Sequence, residues 1–217
     1  MHWVNMTAFI THCWKKIGLE LGRPLVRLLS IGLLGLSCAW AQTSSVELIE
    51  LNPAYQEKAL VLTAQLSLAL GPAVEDALIK GLAVHFVADV EVFQDRWYWT
   101  DKKVGSASRY YRLAFQPLTR RWRLNVSSEP ISLTGLAGSI SQNFETLGEA
   151  LNVIRRQSAW KIADLQNLDA EARQHIRYAF KLDVSQLPRP FQIAAGNQVD
   201  WNLQVNQSLR LNPVQVR

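Results

Sequence analysis

The sequence predicts a mainly β fold: an antiparallel β-sandwich-like single domain with two helices, with an α+β single layer as the alternative. Three observations point there. Apolar and polar residues alternate with period two over many short stretches, which gives each stretch one buried face. Only two stretches carry helical spacing. Turn residues separate the strands at short intervals, which favours packed antiparallel sheets over an α/β layout.

The first 41 residues are set apart as a targeting segment. Lys15, Lys16, Arg23 and Arg27 lead into an apolar run from Leu28 to Ala39. That run is about a dozen residues, against the ~20 of a membrane-spanning helix. Ala39-Trp40-Ala41 then offers small residues at the two positions a signal peptidase reads. Cleavage after Ala41 is expected, with an uncleaved anchor as the alternative. Gly35-Leu36-Ser37 before Cys38 sets the leucine one place out for lipid attachment, which argues against a lipoprotein.

Cleavage leaves residues 42–217, 176 of the 217, enough for one domain of ordinary size. Cys13 and Cys38 are lost, so the mature chain has no disulfide, thiol nucleophile or cysteine metal site. Four of the 23 Lys/Arg and one of the 18 Asp/Glu also go, reducing the net charge from +5 to +2. So small a charge argues against a nucleic-acid partner. The implied location is periplasmic or extracellular.

In chain order, Val46 to Leu51 and Leu60 to Leu70 alternate as strands, with Leu60, Leu62, Ala64, Leu66 and Leu68 on one face. Asn52-Pro53 opens the expected connection between them. Pro72 to Lys80 predicts a short helix: proline suits its start, Glu75 and Asp76 its first turn, and Gly81 its stop. Val84, Phe86, Ala88, Val90 and Val92 line the next strand, with His85, Asp89 and Glu91 opposite.

The stretch from Phe93 to Leu124 combines three tryptophans and three tyrosines with many basic residues. It predicts strand through Trp97 and Trp99, a turn over Asp101 to Ser106, strand from Arg109 to Phe115, a turn at Gln116 to Thr119, and strand from Arg120 to Val126. Ser127 to Ser141 predicts a surface loop. Phe144, Leu147, Leu151 and Ile154 predict a helix over Asn143 to Gln157, capped by Asn143 or Ser141. Trp160 to Ile162 and Ile176 to Leu182 predict strands, and Leu187-Pro188-Arg189-Pro190 a stiff extended segment. Val199 to Val205 and Leu209 to Leu211 predict a last hairpin. The order hairpin, helix, strands occurs twice, suggesting an internal duplication.

Catalytic sets are missing from the sequence. No serine lies in G-x-S-x-G, and only His85 and His175 remain after cleavage. His85 and Asp89 on one strand face lie about 13 Å apart, too far to share an ion. No phosphate loop, H-E-x-x-H or calcium-loop spacing occurs. No cofactor, metal or catalytic residue is assigned. Carboxylates from distant strands, such as Asp95 and Asp101, keep a hydrolase as a further alternative.

The remaining candidate surface is basic: Arg96, Lys102, Lys103, Arg109, Arg112, Arg121 and Arg123, suited to a protein partner, an anionic lipid or a glycan. The aromatics among them are expected to fill the core, with arginine stems lying over them.

The same stretch carries a resemblance. R-W-Y-W-T-D (Arg96 to Asp101), Y-Y-R-L-A-F-Q-P-L-T-R-R-W-R-L (Tyr110 to Leu124), F-E-T-L-G-E-A-L (Phe144 to Leu151) and L-P-R-P-F-Q (Leu187 to Gln192) resemble an exported bacterial domain-of-unknown-function family, DUF 4390. The resemblance spans roughly Val46 to Leu203. It implies a small exported domain, carries over no functional residue, and suggests a neighbouring membrane sensor kinase. The leading expectation is a non-enzymatic cell-envelope protein-interaction domain, accessory to a membrane signalling protein. An anionic lipid- or glycan-binding module is the alternative.

Overall fold

The computed structural model describes residues 43–211, apart from Glu57, Trp99, 132–138 and 169–171. The expected leader and cleavage point lie outside the described residues, as do residues 132–138 of the Ser127–Ser141 loop. The elements run β1 (Ser45–Gln56), β2 (Ala59–Ala69), α1 (Pro72–Ile79), β3 (Val84–Gln94), β4 (Lys102–Gln116), β5 (Arg121–Ser127), β6 (Ile140–Phe144), α2 (Leu147–Arg155), β7 (Arg156–Asp164), β8 (Gln174–Leu182), α3 (Arg189–Gly196) and β9 (Gln204–Arg210). They form two antiparallel sheets, β1-β2-β7 and β6-β5-β4-β3-β8-β9. The mainly β expectation holds, with three α-helices among the described residues where two were expected.

Period two builds the core directly. Val84, Phe86, Ala88, Val90 and Val92 of β3 are all fully buried, as are Leu60 and Leu62 of β2 and Ile176, Tyr178 and Phe180 of β8. These side chains belong to one apolar cluster shared by both sheets. Each large aliphatic or aromatic side chain buried in this way contributes about 1.5–3 kcal/mol. Phe86 and Phe180 stack across the β3–β8 pair with centroids 5.8 Å apart. β4 and β7 approach closely enough that a Cβ on Gly105 would stand 2.7 Å from that of Ala163.

Both predicted helices have readable ends. In α1, Pro72 occupies the first turn with Glu75, and Gly81 at φ +87° ends it. Asp200 Oδ2 accepts from the Ala73 amide at 3.3 Å, placing a carboxylate at the positive end of the helix. In α2, Thr146 Oγ1 accepts from the Glu149 amide at 3.3 Å, while Glu149 Oε2 accepts from the Glu145 amide at 3.2 Å. This resembles the capping box of T-x-x-E, with the glutamate's bond falling on the residue before the cap. Arg155, in the last turn, donates through Nε and Nη2 to the Leu68 carbonyl and through Nη1 to Asn152 Oδ1.

Several sequence expectations are corrected. Asn52 and Pro53 do not open a connection; they pair with Thr63 and Leu62 inside β1. A proline fits there because β1 is an edge strand and one side needs no donors. The predicted turn over Asp101 to Ser106 is strand, since β4 begins at Lys102, and the chain reverses over 95–101 instead. Gly105 serves the close approach to β7 rather than a turn. Phe144 ends β6 opposite Trp122, so α2 starts later than predicted, capped by Thr146 and not by Asn143 or Ser141. Leu187 and Pro188 are extended as expected, but the extension ends there: Pro188 is the N-cap of α3 and Pro190 lies in its first turn, where a proline's missing N–H costs nothing. Val199–Trp201 forms a 3₁₀ turn, and only Gln204–Arg210 of the last predicted hairpin is strand. The duplication fails on connectivity. The first hairpin lies in the three-stranded sheet and leads through α1 to the six-stranded one. The second group has three strands, β4 to β6, in the six-stranded sheet, and crosses the other way.

Candidate functional site

The β3–β4 hairpin ends in a short loop closed at its neck by the pair Gln94–Lys102. Among its described residues the alternation breaks, so Trp97 and Tyr98 have no sheet face to occupy. Trp97 is 94% exposed and Tyr98 65% exposed, in edge-to-face contact at 5.1 Å. Arg96, Lys102 and Lys103 are exposed around them. Lys103 is tied to Glu91 Oε1 at 2.8 Å.

The neck is anchored to β8. The Asp95 amide donates to the Arg173 carbonyl at 2.9 Å, and Asp95 Oδ1 lies 2.7 Å from His175 Nδ1. The His175 ring stacks on Phe93 at 5.3 Å, and the Arg177 guanidinium stands 4.7 Å over Phe93. Asp101 completes a group with Asp95 and His175 whose ligand atoms lie within 4.8 Å of one another. One imidazole and two carboxylates form a set able to hold a divalent cation. Asp95 and Asp101, named in the sequence as hydrolase carboxylates, meet here on the surface. The cavity of about 420 Å³ beside β8 and α3 has Lys181 and Trp201 in its wall and no carboxylate.

A second cluster lies on the outer face of the six-stranded sheet. His85 of β3 and Asn125 of β5 stand opposite Arg112 of β4, one on each side. His85 is 8% exposed and Asn125 1% exposed, and His85 Nδ1 and Asn125 Oδ1 have no hydrogen-bond partner among the described residues. Burial, reinforced by Arg112, holds the His85 pKa down to about 4, with Asp183 opposing. Burial, and then Arg123, lowers that of Arg112. Arg123 Nε donates to Ser141 Oγ of β6 at 2.9 Å. Among the described residues the Lys/Arg–carboxylate ion pairs are Lys103–Glu91 and Lys161–Asp164, so Arg112, Arg121 and Arg123 have no carboxylate partner there.

The seven sequence-predicted residues therefore do not form one patch. Arg96, Lys102 and Lys103 gather at the hairpin tip. Arg112, Arg121 and Arg123 share the outer sheet face, about 33 Å along β4 from Lys102 to Arg112. Arg109 faces inward, its guanidinium 4.8 Å over the Trp160 ring of β7. There it partly offsets the burial that pushes Tyr111 up to about 12. Of the tryptophans expected in the core, Trp122 is buried, Trp97 is not, and Trp99 lies outside the described residues. Sequence reading missed the meeting of His175 with Asp95. The two are 80 residues apart, and no local spacing links them.

The comparison with known families settles what kind of chain carries these clusters. Residues 41–211 match the model of "Domain of unknown function (DUF4390)". The chain belongs to this family. No curated protein and no solved structure matches it. The DUF4390 region takes in both sheets and both clusters, with the tip at Arg96–Asp101 and the segment Leu187–Gln192, which leads into α3, carrying two of the quoted motifs. Among its described residues no helix is long and apolar enough to cross a membrane.

Proposed function

We propose that this DUF4390 chain is a non-enzymatic, exported cell-envelope domain that binds a protein partner through the β3–β4 tip, as an accessory to a membrane signalling protein. The observation that carries it is the exposure of Trp97, with Tyr98 and Arg96 beside it. Trp, Tyr and Arg are the residue types most enriched where interface energy concentrates. An indole left in water at the end of a braced hairpin gains about 1.5–3 kcal/mol when a partner covers it. The anchored neck lowers the ordering cost of that contact.

A photo-crosslinking residue at position 97, in intact cells, tests the reading. It should yield one discrete adduct with an envelope or membrane protein, while the same residue at Leu118, fully exposed on the β4–β5 turn, should not. Position 109, attractive from sequence, is unsuitable because its side chain packs on Trp160. Identical adducts from 97 and 118, or none from 97, would defeat it.

Arg96 and Lys102 beside the aromatics favour one second reading, an anionic lipid or glycan surface. It requires salt-sensitive vesicle or cell-wall binding that Trp97→Ala and Arg96→Glu abolish.

A further inference from the structure

We propose that the outer face of the six-stranded sheet binds an oxyanion, a phosphate or carboxylate group, between Arg112 and Arg123, with His85 and Asn125 donating hydrogen bonds to it. This site is independent of the hairpin tip and stands or falls without it.

The fold alone gives no account of the cluster. Buried polar atoms in native proteins are nearly always satisfied, yet His85 and Asn125 each bury one without a partner. Both flank the same residue in one cross-strand row, His85–Arg112–Asn125. Side chains directly opposite on one face have Cβ atoms about 4.5–5.5 Å apart, so all three reach a common point. Arg123 precedes Asn125 by two on β5 and is the diagonal neighbour of Arg112 on that face. Two guanidinium groups side by side, neither ion-paired among the described residues, repel unless an anion sits between them. Asp183 is the carboxylate that acts on His85, but its Oδ1 is occupied by the Ser185 amide at 3.0 Å and hydroxyl at 2.6 Å.

The chemistry fits an oxyanion in particular. Guanidinium groups bind carboxylate and phosphate oxygens in pairs, at short distance and with charge assistance. His85 stays neutral at neutral pH, so its Nδ1–H tautomer donates without adding charge. The Asn125 carboxamide presents its NH₂ to the same point by a half-turn about its terminal bond. The site asks for one small, charged, planar or tetrahedral group.

The full chain is titrated with inorganic phosphate and, separately, acetate, following heat and the His85 ring resonances. A second arm uses phosphatidylcholine vesicles with and without phosphatidic acid. One saturable phosphate or acetate site that shifts His85 is expected. Arg112→Gln and Arg123→Gln should each weaken it about tenfold, the scale of one lost charge-assisted contact. Lys80→Gln, at the exposed end of α1, should leave it unchanged. Arg123 is partly exposed and its Nε bond goes to Ser141 of the edge strand β6, so its variant remains informative if Arg112→Gln folds poorly. Binding to phosphatidic acid vesicles that free phosphate displaces identifies a lipid headgroup as the source. Response to free anions alone identifies a soluble ligand. No saturable shift at His85, or variants that bind as the parent does, overturns the proposal.

Discussion

The Tyr178 hydroxyl donates to Gln157 Oε1 at 3.2 Å inside the core, joining β8 of the large sheet to β7 of the small one. Gln157 Nε2 passes the connection on to the Ile154 carbonyl of α2 at 3.4 Å. Burial pushes the Tyr178 pKa far above its usual value, so the hydroxyl remains a donor throughout the working pH range. Tyr178→Phe leaves a buried carboxamide oxygen without its partner and should cost about 1–3 kcal/mol. Urea unfolding reads this as a lower midpoint with an unchanged slope. The double variant Tyr178→Phe/Gln157→Leu, which removes both polar partners, should recover much of the loss.

Gly105 marks a close approach of the two sheets. Gly105→Ala forces the new methyl against Ala163 Cβ and toward the Ile162 carbonyl, 3.2 Å from its position. Overpacking of this kind costs about 1–3 kcal/mol. A thermal scan should show the loss, and Ala163→Gly in the same chain should restore part of it.

His85 makes stability depend on pH in a stated direction. The unfolded chain takes up a proton there near pH 6.5, while burial beside Arg112 holds the folded value to about 4. Between those values the unfolded state binds more protons, so stability falls as pH drops from about 6.5 toward 4. The contribution is of order 3 kcal/mol at most. Denaturation measured across that window should flatten in His85→Asn, and an equally steep profile in the variant would contradict the assignment.

Trp97→Ala should leave the unfolding midpoint within about 0.5 kcal/mol of the parent, as expected for a side chain in water. It should remove a solvent-quenchable part of the tryptophan emission and abolish partner or vesicle binding. A large stability loss would mean that the tip is part of the fold instead.

Much of the architecture was legible because alternation is a direct record of sheet faces. Leu60 to Leu68, Val84 to Val92 and Ile176 to Leu182 sit where their period puts them. The misreadings share a cause: residues with a usual meaning were employed for another purpose. Gly105 looked like a turn and serves packing, while Pro190 looked extended and lies in the first turn of a helix. Trp97 looked like strand core and stands in water. The basic surface was partly decodable too. Arg109 and Arg112 are three apart on one strand and so face opposite ways, whereas Arg121 and Arg123, two apart, share a face. Nothing local could reveal that His85 and Asn125 would bracket Arg112, or that His175 would reach Asp95, because strand pairing creates both meetings.

The order in which the chain visits its sheets has a kinetic consequence. β2 receives its second neighbour only from β7, and β3 only from β8, each roughly ninety residues later. Until those late strands arrive, two strands with fully apolar faces have an unsatisfied edge. Neither sheet can be completed from the first half alone, so assembly requires long-range closure and is slow for a domain of this size. A chain ending after β6 exposes both edges and is the form most prone to aggregate. Refolding followed by tryptophan fluorescence should therefore show one cooperative phase for the intact chain and none for that truncation.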